Sequence, residues 1–464
     1  MAKSSAKVPA SVFELGGIPR PGQLIPLGLQ HVVAAIVGII TPAILVANIC
    51  GLDAADKRLL IQVSLLVTAV ATLLQLFPIF GRLGSGLPVV MGISFAYVPT
   101  LLAIGGQFGL PTILGAEIIG GIVAIIFGIF VKQIRVLFPP LVTGTVIFTI
   151  GLSLYPTAVK YMAGGANTPD FGTPKSWAVA LITFAVVIFF NHFTKGTMKL
   201  GAILIGIVAG YLVSLPLHMV DFADVGSAGW FQVPMPLHFD IAFNGSAIAS
   251  LAIVYVVNAV QTIGDLSSTT MGGMDRMPTD KELSGGIVAQ GLMSVVGSLF
   301  GGLPAATYSQ NVGIVTVNRV INKAVFALAA LILLVAGFVP KFAAVLATIP
   351  QSVIGGATIS VFATITMTGV RMITSGKFTM RSSTVVGLSV ALGVGISQVG
   401  GSLSGAGFPA WVNTVFGSSP VVVAAIMAIA LNLILPKDPN DVADPVEEAA
   451  EEAMEQAAEP ISRD

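Results

Sequence analysis

The sequence predicts an all-α polytopic membrane protein with fourteen transmembrane segments arranged as a 7+7 inverted repeat. Three observations predict this fold class: the composition, the long stretches without charged residues, and the distribution of basic residues between loops. Of 464 residues, 55% are hydrophobic and 9% are charged, and the mean hydropathy is +0.93. Soluble globular domains carry about 25% charged residues. The composition therefore excludes a water-soluble enzyme.

The segments follow from stretches free of Asp, Glu, Lys and Arg, because a bilayer core takes about 20 apolar residues per helix. The longest stretches are divided at clusters of Gly, Pro and Ser. The predicted segments are residues 24–49, 58–80, 89–103, 111–131, 137–156, 176–194, 199–216, 245–266, 283–299, 307–319, 323–340, 348–371, 382–398 and 416–435. The two repeats span about 24–216 and 245–435 within a transmembrane domain of residues 24–436.

The basic residues predict the orientation, because Lys and Arg concentrate in cytoplasmic loops. With fourteen spans and both termini in the cytoplasm, 15 of the 20 basic residues before residue 437 lie on the inner side. A lost span would invert every later loop, so this distribution also supports the count. Residues 1–23 are then a cytoplasmic N-terminus without the features of a removable signal peptide. Residues 437–464, with 10 of the 22 acidic residues, form an acidic cytoplasmic tail.

The third and tenth segments are too short for ordinary spans and occupy corresponding places in the two halves. Each has a Gly/Pro-rich approach, "GSGLPVVMGISFAYVP" at Gly84–Pro99 and "FGGLPAATYSQNVG" at Phe300–Gly313. Paired interruptions indicate an inverted repeat with a binding site near the midplane. We expect short extended strands within 89–97 and 305–309. Free N–H groups and helix N-termini would then face one cavity that accepts a polar ligand.

Ionisable and polar residues inside spans are few, and each costs free energy in a bilayer. Asp265 ends an apolar run and shares a helical face with Gln261, so both are expected to face the cavity. The alternative for Asp265 is a hydrated helix end paired with a cation. His31 is either a proton carrier or a hydrogen-bonding strut. Glu117 either faces the cavity or lies near enough to the surface to be hydrated.

The stretch "YSQNVGIVTVNR", Tyr308–Arg319, concentrates amide side chains where the tenth segment begins. Gln310 offers one acceptor and one NH₂ donor, which match a planar heterocycle bearing adjacent C=O and N–H groups. Gln261 can do the same from the opposite side. Phe95 is an aromatic face for stacking, or simply a packing residue. These residues predict a transporter for a polar substrate and constrain the ligand only weakly.

Other function classes lack their signatures in this sequence. With four His and one Cys, clusters for metal binding or Cys/His catalysis are missing, and no metal or other cofactor is expected. No Walker-type phosphate loop occurs, which disfavours ATP-driven transport. A channel would need a continuous pore lined by repeated polar residues, and the sequence shows no such pattern. No part of the chain is basic enough to indicate nucleic-acid binding.

Taken together, these motifs resemble the nucleobase-ascorbate transporters, also called the xanthine/uracil permease family. The resemblance covers nearly the whole membrane region. It is carried by Gln30-His31, by "GLPVVMGISFAYVPTLLAIG" in the third segment, by "QTIGD" in the eighth, by "QNVGIVTVNR" in the tenth and by "IPQSVIGGA" opening the twelfth. The tenth-segment string is similar to the family signature, although Asn318 stands where a hydroxyl residue is usual.

The resemblance implies a core domain and a gate domain, frequent homodimerisation, and inward movement of nucleobases with protons by an elevator-type motion in the cell membrane. Gln310 occupies the position that binds purines and is commonly Glu in uracil transporters, so it implies a purine, xanthine or uric acid. Matching positions imply stacking by Phe95 and main-chain contacts at Ser94 and Ser309. Asn311 would support the signature loop.

Asp265 and His31 match the polar network of the family, but two other positions depart from it. Gln261 and Gln290 stand where relatives carry acids, and the acid at the first position is a candidate proton site. Either Asp265, with His31 or Glu117, takes over the proton, or coupling is weaker. An anionic purine such as urate would meet less repulsion from Gln261 than from Glu. The alternative is a uracil or other nucleobase carrier of the same fold, sodium-coupled or uncoupled.

Overall fold

The structure is a computed structural model and describes residues 10–134, 138–166, 168–405, 407–417 and 419–436. The acidic tail of residues 437–464 and the first nine residues of the N-terminal segment lie outside the described residues.

The described chain is mainly helical, with two short strands. The elements are α1 (Pro21–Ile49), α2 (Ala54–Leu76), β1 (Met91–Ile93), α3 (Val98–Phe108), α4 (Leu110–Ile129), α5 (Val131–Ile134), α6 (Pro140–Met162), α7 (Pro174–Phe193), α8 (Gly196–Leu200), α9 (Ala202–Ser214), α10 (Ala223–Ser227), α11 (Gly245–Met274), α12 (Asp280–Leu299), β2 (Ala305–Thr307), α13 (Ser309–Asn318), α14 (Lys323–Gly337), α15 (Pro340–Ala347), α16 (Gln351–Ile373), α17 (Met380–Gln398), α18 (Ala410–Val412) and α19 (Pro420–Ile434). One π-helical turn, Asn413–Gly417, precedes α19.

Eight of these helices are long and apolar enough to cross a membrane, namely α1, α2, α4, α6, α7, α11, α16 and α17. The pair α14 and α15 would form a ninth span, although the two helices are bent by 85°. Three further apolar helices, α3, α9 and α19, have 10 to 17 residues. The described chain is thus a multi-pass membrane protein, and the count of fourteen segments stays a prediction.

The two interrupted segments meet through their strands. The strands β1 and β2 pair antiparallel, with Met91 opposite Thr307 and Ile93 opposite Ala305. The half-helices α3 and α13 have 11 and 10 residues, or about 15 Å each at 1.5 Å per residue, which is half of a bilayer core. Both strands are fully buried. The expected strands are present, and their non-helical backbone is enclosed by protein, as membrane depth requires.

The helices pack as two sets, and small residues permit their closest approaches. In one set α4 lies against α11 and α12, and α2 lies against α1 and α14; in the other α16 lies against α6 and α7, and α17 against α19. A Cβ on Gly121 would lie 2.7 Å from the carbonyl oxygen of Gly291. Only glycine therefore allows α4 and α12 to approach this closely.

The eighth segment was expected to end at residue 266, but α11 continues to Met274. The Ser/Thr-rich stretch after Asp265 resembles a helix end in sequence. In the structure the hydroxyls of Thr269 and Thr270 donate to the carbonyls of Asp265 and Leu266, at 2.9 and 3.2 Å, within the same helix. Asp265 therefore lies inside α11, two turns before its end.

Candidate functional site

The Asp265 carboxylate is held by two hydroxyl groups from the second interrupted segment. Thr307 Oγ1 donates to Oδ2 at 2.6 Å and Ser309 Oγ donates to Oδ1 at 2.8 Å. Asp265 is 7% exposed, and the ion pairs of the described chain lie elsewhere. The alternative of a hydrated helix end paired with a cation is therefore wrong. Asp265 instead connects α11 by hydrogen bonds to the junction between β2 and α13.

Gln261 lies one turn before Asp265 and reaches the same serine. Its Nε2 donates to Ser309 Oγ at 3.4 Å, and its Oε1 accepts from Asn258 Nδ2 at 3.4 Å. Gln310 follows Ser309 directly and is exposed, while Gln261 is half-buried. The structure thus brings Gln261 and Asp265 together with the start of α13, where the exposed amide of Gln310 lies.

Gln290 is a central member of this network. The sequence indicated only that it stands where relatives carry an acid. It is fully buried on α12. Its Nε2 donates to Asn258 Oδ1 at 2.7 Å and to the Tyr97 hydroxyl at 3.2 Å, and its Oε1 accepts from Thr262 Oγ1 at 2.6 Å. The available sequence signal was the repetition of amide residues on one face of the eighth segment, at Asn258 and Gln261.

His31 and Asn311 form a second polar pair, joining α1 to α13. Asn311 Nδ2 lies 3.0 Å from His31 Nδ1 and donates to the His31 carbonyl at 3.1 Å. With the amide as donor, Nδ1 accepts and the neutral ring carries its proton on Nε2. The ring also packs against Phe326 at a centroid distance of 4.3 Å. This geometry is that of the strut expected as one alternative for His31.

Ser94 and Phe95 lie between β1 and the start of α3. The hydroxyl of Ser94 accepts from the N–H of Ala96 at 3.1 Å, so it shapes this turn. Phe95 is 6% exposed and packs edge-on against Phe362 of α16 at 5.4 Å between centroids. Phe95 therefore lies where the two helix sets meet, and its ring is held by packing.

Glu117 is fully buried on α4, so the expectation of a hydrated position near the surface is wrong. Neither of its carboxyl oxygens has a hydrogen-bond partner within the described chain. The rings of Tyr97 and Tyr255 lie 4.8 Å apart, and both tyrosines are close enough to Glu117 to interact with it electrostatically. Through Tyr97, this carboxyl borders the amide network rather than joining it directly.

The site offers hydrogen bonds without a fixed positive charge. Its members are the half-buried amide of Gln261, the exposed amide of Gln310, the hydroxyl of Ser309, and the buried carboxylate of Asp265. No group of three His, Cys, Asp or Glu suited to a metal ion occurs in the part of the chain that the structure describes. Such a site suits a small, flat, polar molecule that both donates and accepts hydrogen bonds.

The fold and site together define a membrane transporter built around two interrupted segments. A model of the Permease family, the xanthine/uracil permeases, matches residues 22–402. The chain belongs to this family, and it is a permease rather than an enzyme.

Several permeases are similar to this chain over nearly their whole length. The uric acid permease PucK of Bacillus subtilis is 35% identical over 428 residues, covering 90% of this chain and 97% of the relative. The xanthine permease of the same organism is 32% identical, covering 89% and 94%. The putative purine permease CPE0397 of Clostridium perfringens is 34% identical, covering 89% and 91%.

Two solved structures share the fold at low sequence identity. The transmembrane domain of a cyanobacterium bicarbonate transporter, BicA, aligns with a TM-score of 0.57 at 16% identity, covering 89% of this chain and 98% of that domain. SLC26A9 aligns with a TM-score of 0.59 at 11% identity, covering 89% and 66%. At these identities the likeness concerns the fold alone.

Proposed function

We propose that the chain imports a purine base, xanthine or uric acid, across the cell membrane by proton symport. The observation that carries the proposal is the cluster of Gln261, Ser309 and Asp265, with Gln310 at the start of α13. Permeases for uric acid and xanthine are about one-third identical to this chain. The two amides supply the donor and acceptor pairs that the edge of an oxopurine requires.

Each site residue has a proposed role. Gln261 and Gln310 bind the edges of the base, while Phe95 stacks on its face after its ring turns from Phe362. Main-chain groups at Ser94 and Ser309 contact the base. Asn311 supports the signature loop, and the polar network that couples transport to protons consists of His31, Asp265 and Glu117. Of these, Asp265 carries the proton, because it is the carboxylate that contacts both Ser309 and the segment bearing Gln310.

The proposed architecture is fourteen segments in a 7+7 inverted repeat, with both termini in the cytoplasm. The set of α1 to α4 and α11 to α14 is the core domain that carries the base, and the set of α6, α7, α9, α16, α17 and α19 is the gate domain. The packing of helices into these two sets supports an elevator-type motion of one against the other. The working unit is a homodimer.

Uptake into proteoliposomes tests the proposal. Radiolabelled xanthine, uric acid, guanine and uracil are compared under an inward proton gradient, then with a protonophore, and then with sodium present or absent. We expect uptake of xanthine or uric acid that the protonophore abolishes in sodium-free buffer. Transport of uracil alone would contradict the assignment of a purine. Uptake that depends on sodium, or that ignores the protonophore, would contradict proton symport.

A further inference from the structure

An unbroken chain of hydrogen-bonding side chains runs from the Tyr97 hydroxyl to Asp265. In order, it passes through Gln290, Asn258, Gln261 and Ser309, with neighbouring members 2.7 to 3.4 Å apart. Three of its members are carboxamides, each of which reverses its hydrogen-bond polarity when it turns by half a revolution. The polarity of one amide therefore constrains the next.

We propose that the orientation of the Ser309 hydroxyl depends on whether Asp265 is protonated and in turn fixes the orientation of the Gln261 amide. The protonation state of Asp265 thereby determines whether the bound base meets the NH₂ group or the C=O group of Gln261. Ser309 would be a positioning and specificity-determining residue in the base site. The inference rests on the proposed function, because it describes how the same site couples a purine to a proton.

With Asp265 ionised, the observed geometry is the only consistent one at Ser309. A hydroxyl has a single hydrogen, and Ser309 gives it to Asp265 Oδ1 at 2.8 Å. The serine oxygen can then only accept from Gln261, which must turn its Nε2 towards it, as observed at 3.4 Å. Placing Gln261 Oε1 there would set two lone pairs against each other.

With a proton on Asp265 Oδ1, the same contact runs the other way. The carboxyl O–H donates to Ser309 Oγ, whose own hydrogen is then free to turn towards Gln261. The amide of Gln261 now presents Oε1 to the serine and its NH₂ to Asn258. One O–H bond forms on Asp265 with a proton taken from water, and every other change is a rotation of a hydroxyl or an amide about a single bond.

The remaining members of the hydrogen-bonded series, from Asn258 to Tyr97, accommodate both polarities. Turning Asn258 and Gln290 together keeps a donor opposite each acceptor, since Tyr97 O–H can donate to Gln290 Oε1. Thr262 has one hydroxyl hydrogen and two acceptors in the observed arrangement, Gln290 Oε1 at 2.6 Å and the Asn258 carbonyl at 3.1 Å. In the reversed arrangement, Thr262 keeps its bond to the carbonyl and accepts from Gln290 Nε2.

The lengths of these hydrogen bonds show which side chain of the series is held most weakly. The two bonds of Gln261 are both 3.4 Å, whereas two bonds of the buried Gln290 are 2.6 and 2.7 Å. A long hydrogen bond is weak and easily exchanged. Gln261 is therefore the amide best able to exchange a protein partner for the base.

Within the described residues, the side chains that hydrogen-bond Asp265 are the neutral Thr307 and Ser309. Other ionisable groups lie on the elements that pack against α11 or beside the site, and none of them hydrogen-bonds Asp265 in the described chain. They are Glu117 on α4, Tyr97 before α3, Tyr155 and Lys160 on α6, Asp280, Lys281 and Glu282 on α12, Tyr308 and Arg319 beside α13, His31 on α1, and Tyr255 on α11 itself.

The test compares the dissociation constant Kd of xanthine for Ser309→Ala and for the unaltered protein from about pH 5 to about pH 8. The ratio of the two constants at each pH cancels the ionisation of xanthine itself. We expect the Ser309→Ala ratio to change about tenfold across this range, the equivalent of one ordinary hydrogen bond. In an Asp265→Asn background, the ratio for removing Ser309 should be constant.

Ser309→Thr, which keeps the hydroxyl, and Thr316→Val, which removes a hydroxyl bonded to its own helix at Val312, should give constant ratios. Ser309→Cys, a poor donor, repeats the test should Ser309→Ala fail to fold. A constant ratio for Ser309→Ala, or a Ser309→Thr ratio that changes as that of Ser309→Ala does, would overturn the inference. Absence of xanthine and uric acid binding by the unaltered protein at every pH would contradict the proposed function, and this inference with it.

Discussion

Gln290 is expected to be the residue whose loss most disturbs the site without any contact to the base. Gln290→Leu removes three buried hydrogen bonds, to Tyr97, Asn258 and Thr262. Each contributes about 0.6 to 1.5 kcal/mol in a membrane or protein interior. The free energy of unfolding should therefore fall by about 2 to 4 kcal/mol. For a chain of this size, that corresponds to a Tm lower by about 2 to 4 °C.

The binding of purines should weaken in the same variant. Asn258 loses its hydrogen bond to Gln290 and no longer fixes Oε1 of Gln261. The Gln261 amide is then ordered only when the base binds, and the free energy of ordering it reduces the affinity. We expect the Kd of xanthine to rise about three- to tenfold, that is by about 0.7 to 1.4 kcal/mol. The assays are thermal unfolding and equilibrium binding on the purified protein.

A matched variant separates this effect from the loss of a buried glutamine in general. Gln62 is also fully buried, but it makes one side-chain bond, from Nε2 to the Gly337 carbonyl at 3.1 Å, where α2 meets α14. Gln62→Leu should lower Tm less and leave Kd unchanged. An equal Kd for Gln290→Leu and the unaltered protein, or a loss of Tm no greater than that of Gln62→Leu, would refute the reasoning.

Three further changes have defined outcomes. Asp265→Asn should reduce proton-driven accumulation in proteoliposomes by more than about tenfold, a larger factor than its effect on Kd at any one pH, whereas normal accumulation would remove Asp265 from coupling. Gly369→Ala should lower Tm because its Cβ would overlap the backbone nitrogen of Phe148, while Gly387→Ala, whose Cβ would meet no described atom within 4 Å beyond the backbone of its own helix, should not; equal Tm values would contradict this. Asn322 donates to the carbonyls of residues 14 and 16, at 3.0 Å each, so Asn322→Ala should speed limited proteolysis between residues 10 and 18; unchanged cleavage would contradict that role.

Local sequence patterns predicted the parts of the fold that depend on local physics. Hydropathy located the helices, and Gly/Pro interruptions located both strand and half-helix segments. The four-residue spacing of Gln261 and Asp265 placed them on one face. The end of α11 was missed because the sequence does not reveal whether Thr269 and Thr270 bond their own helix or cap its end.

Partners distant in the chain could not be predicted from one sequence. Asn311 and His31 are separated by 280 positions, and nothing local to either indicates the other. Gln290 was noted only as an exception to a pattern, although its position between Asn258 and Tyr97 makes it central. A hydrated position near the surface stayed open as an alternative for Glu117, because the sequence does not reveal that Tyr255 and α12 cover the two glycines that follow it, Gly120 and Gly121.

The central claim is that amides of α11 and α13 form one site for a purine. Equilibrium binding of xanthine and uric acid to the purified protein tests it most directly, with Gln261→Leu, Gln310→Leu and the distant Gln62→Leu compared at one pH. We predict that each of the first two variants weakens binding by more than about tenfold, as expected for a lost hydrogen bond in a buried complex, while Gln62→Leu binds as the unaltered protein does. Unchanged binding by both Gln261→Leu and Gln310→Leu would contradict the claim.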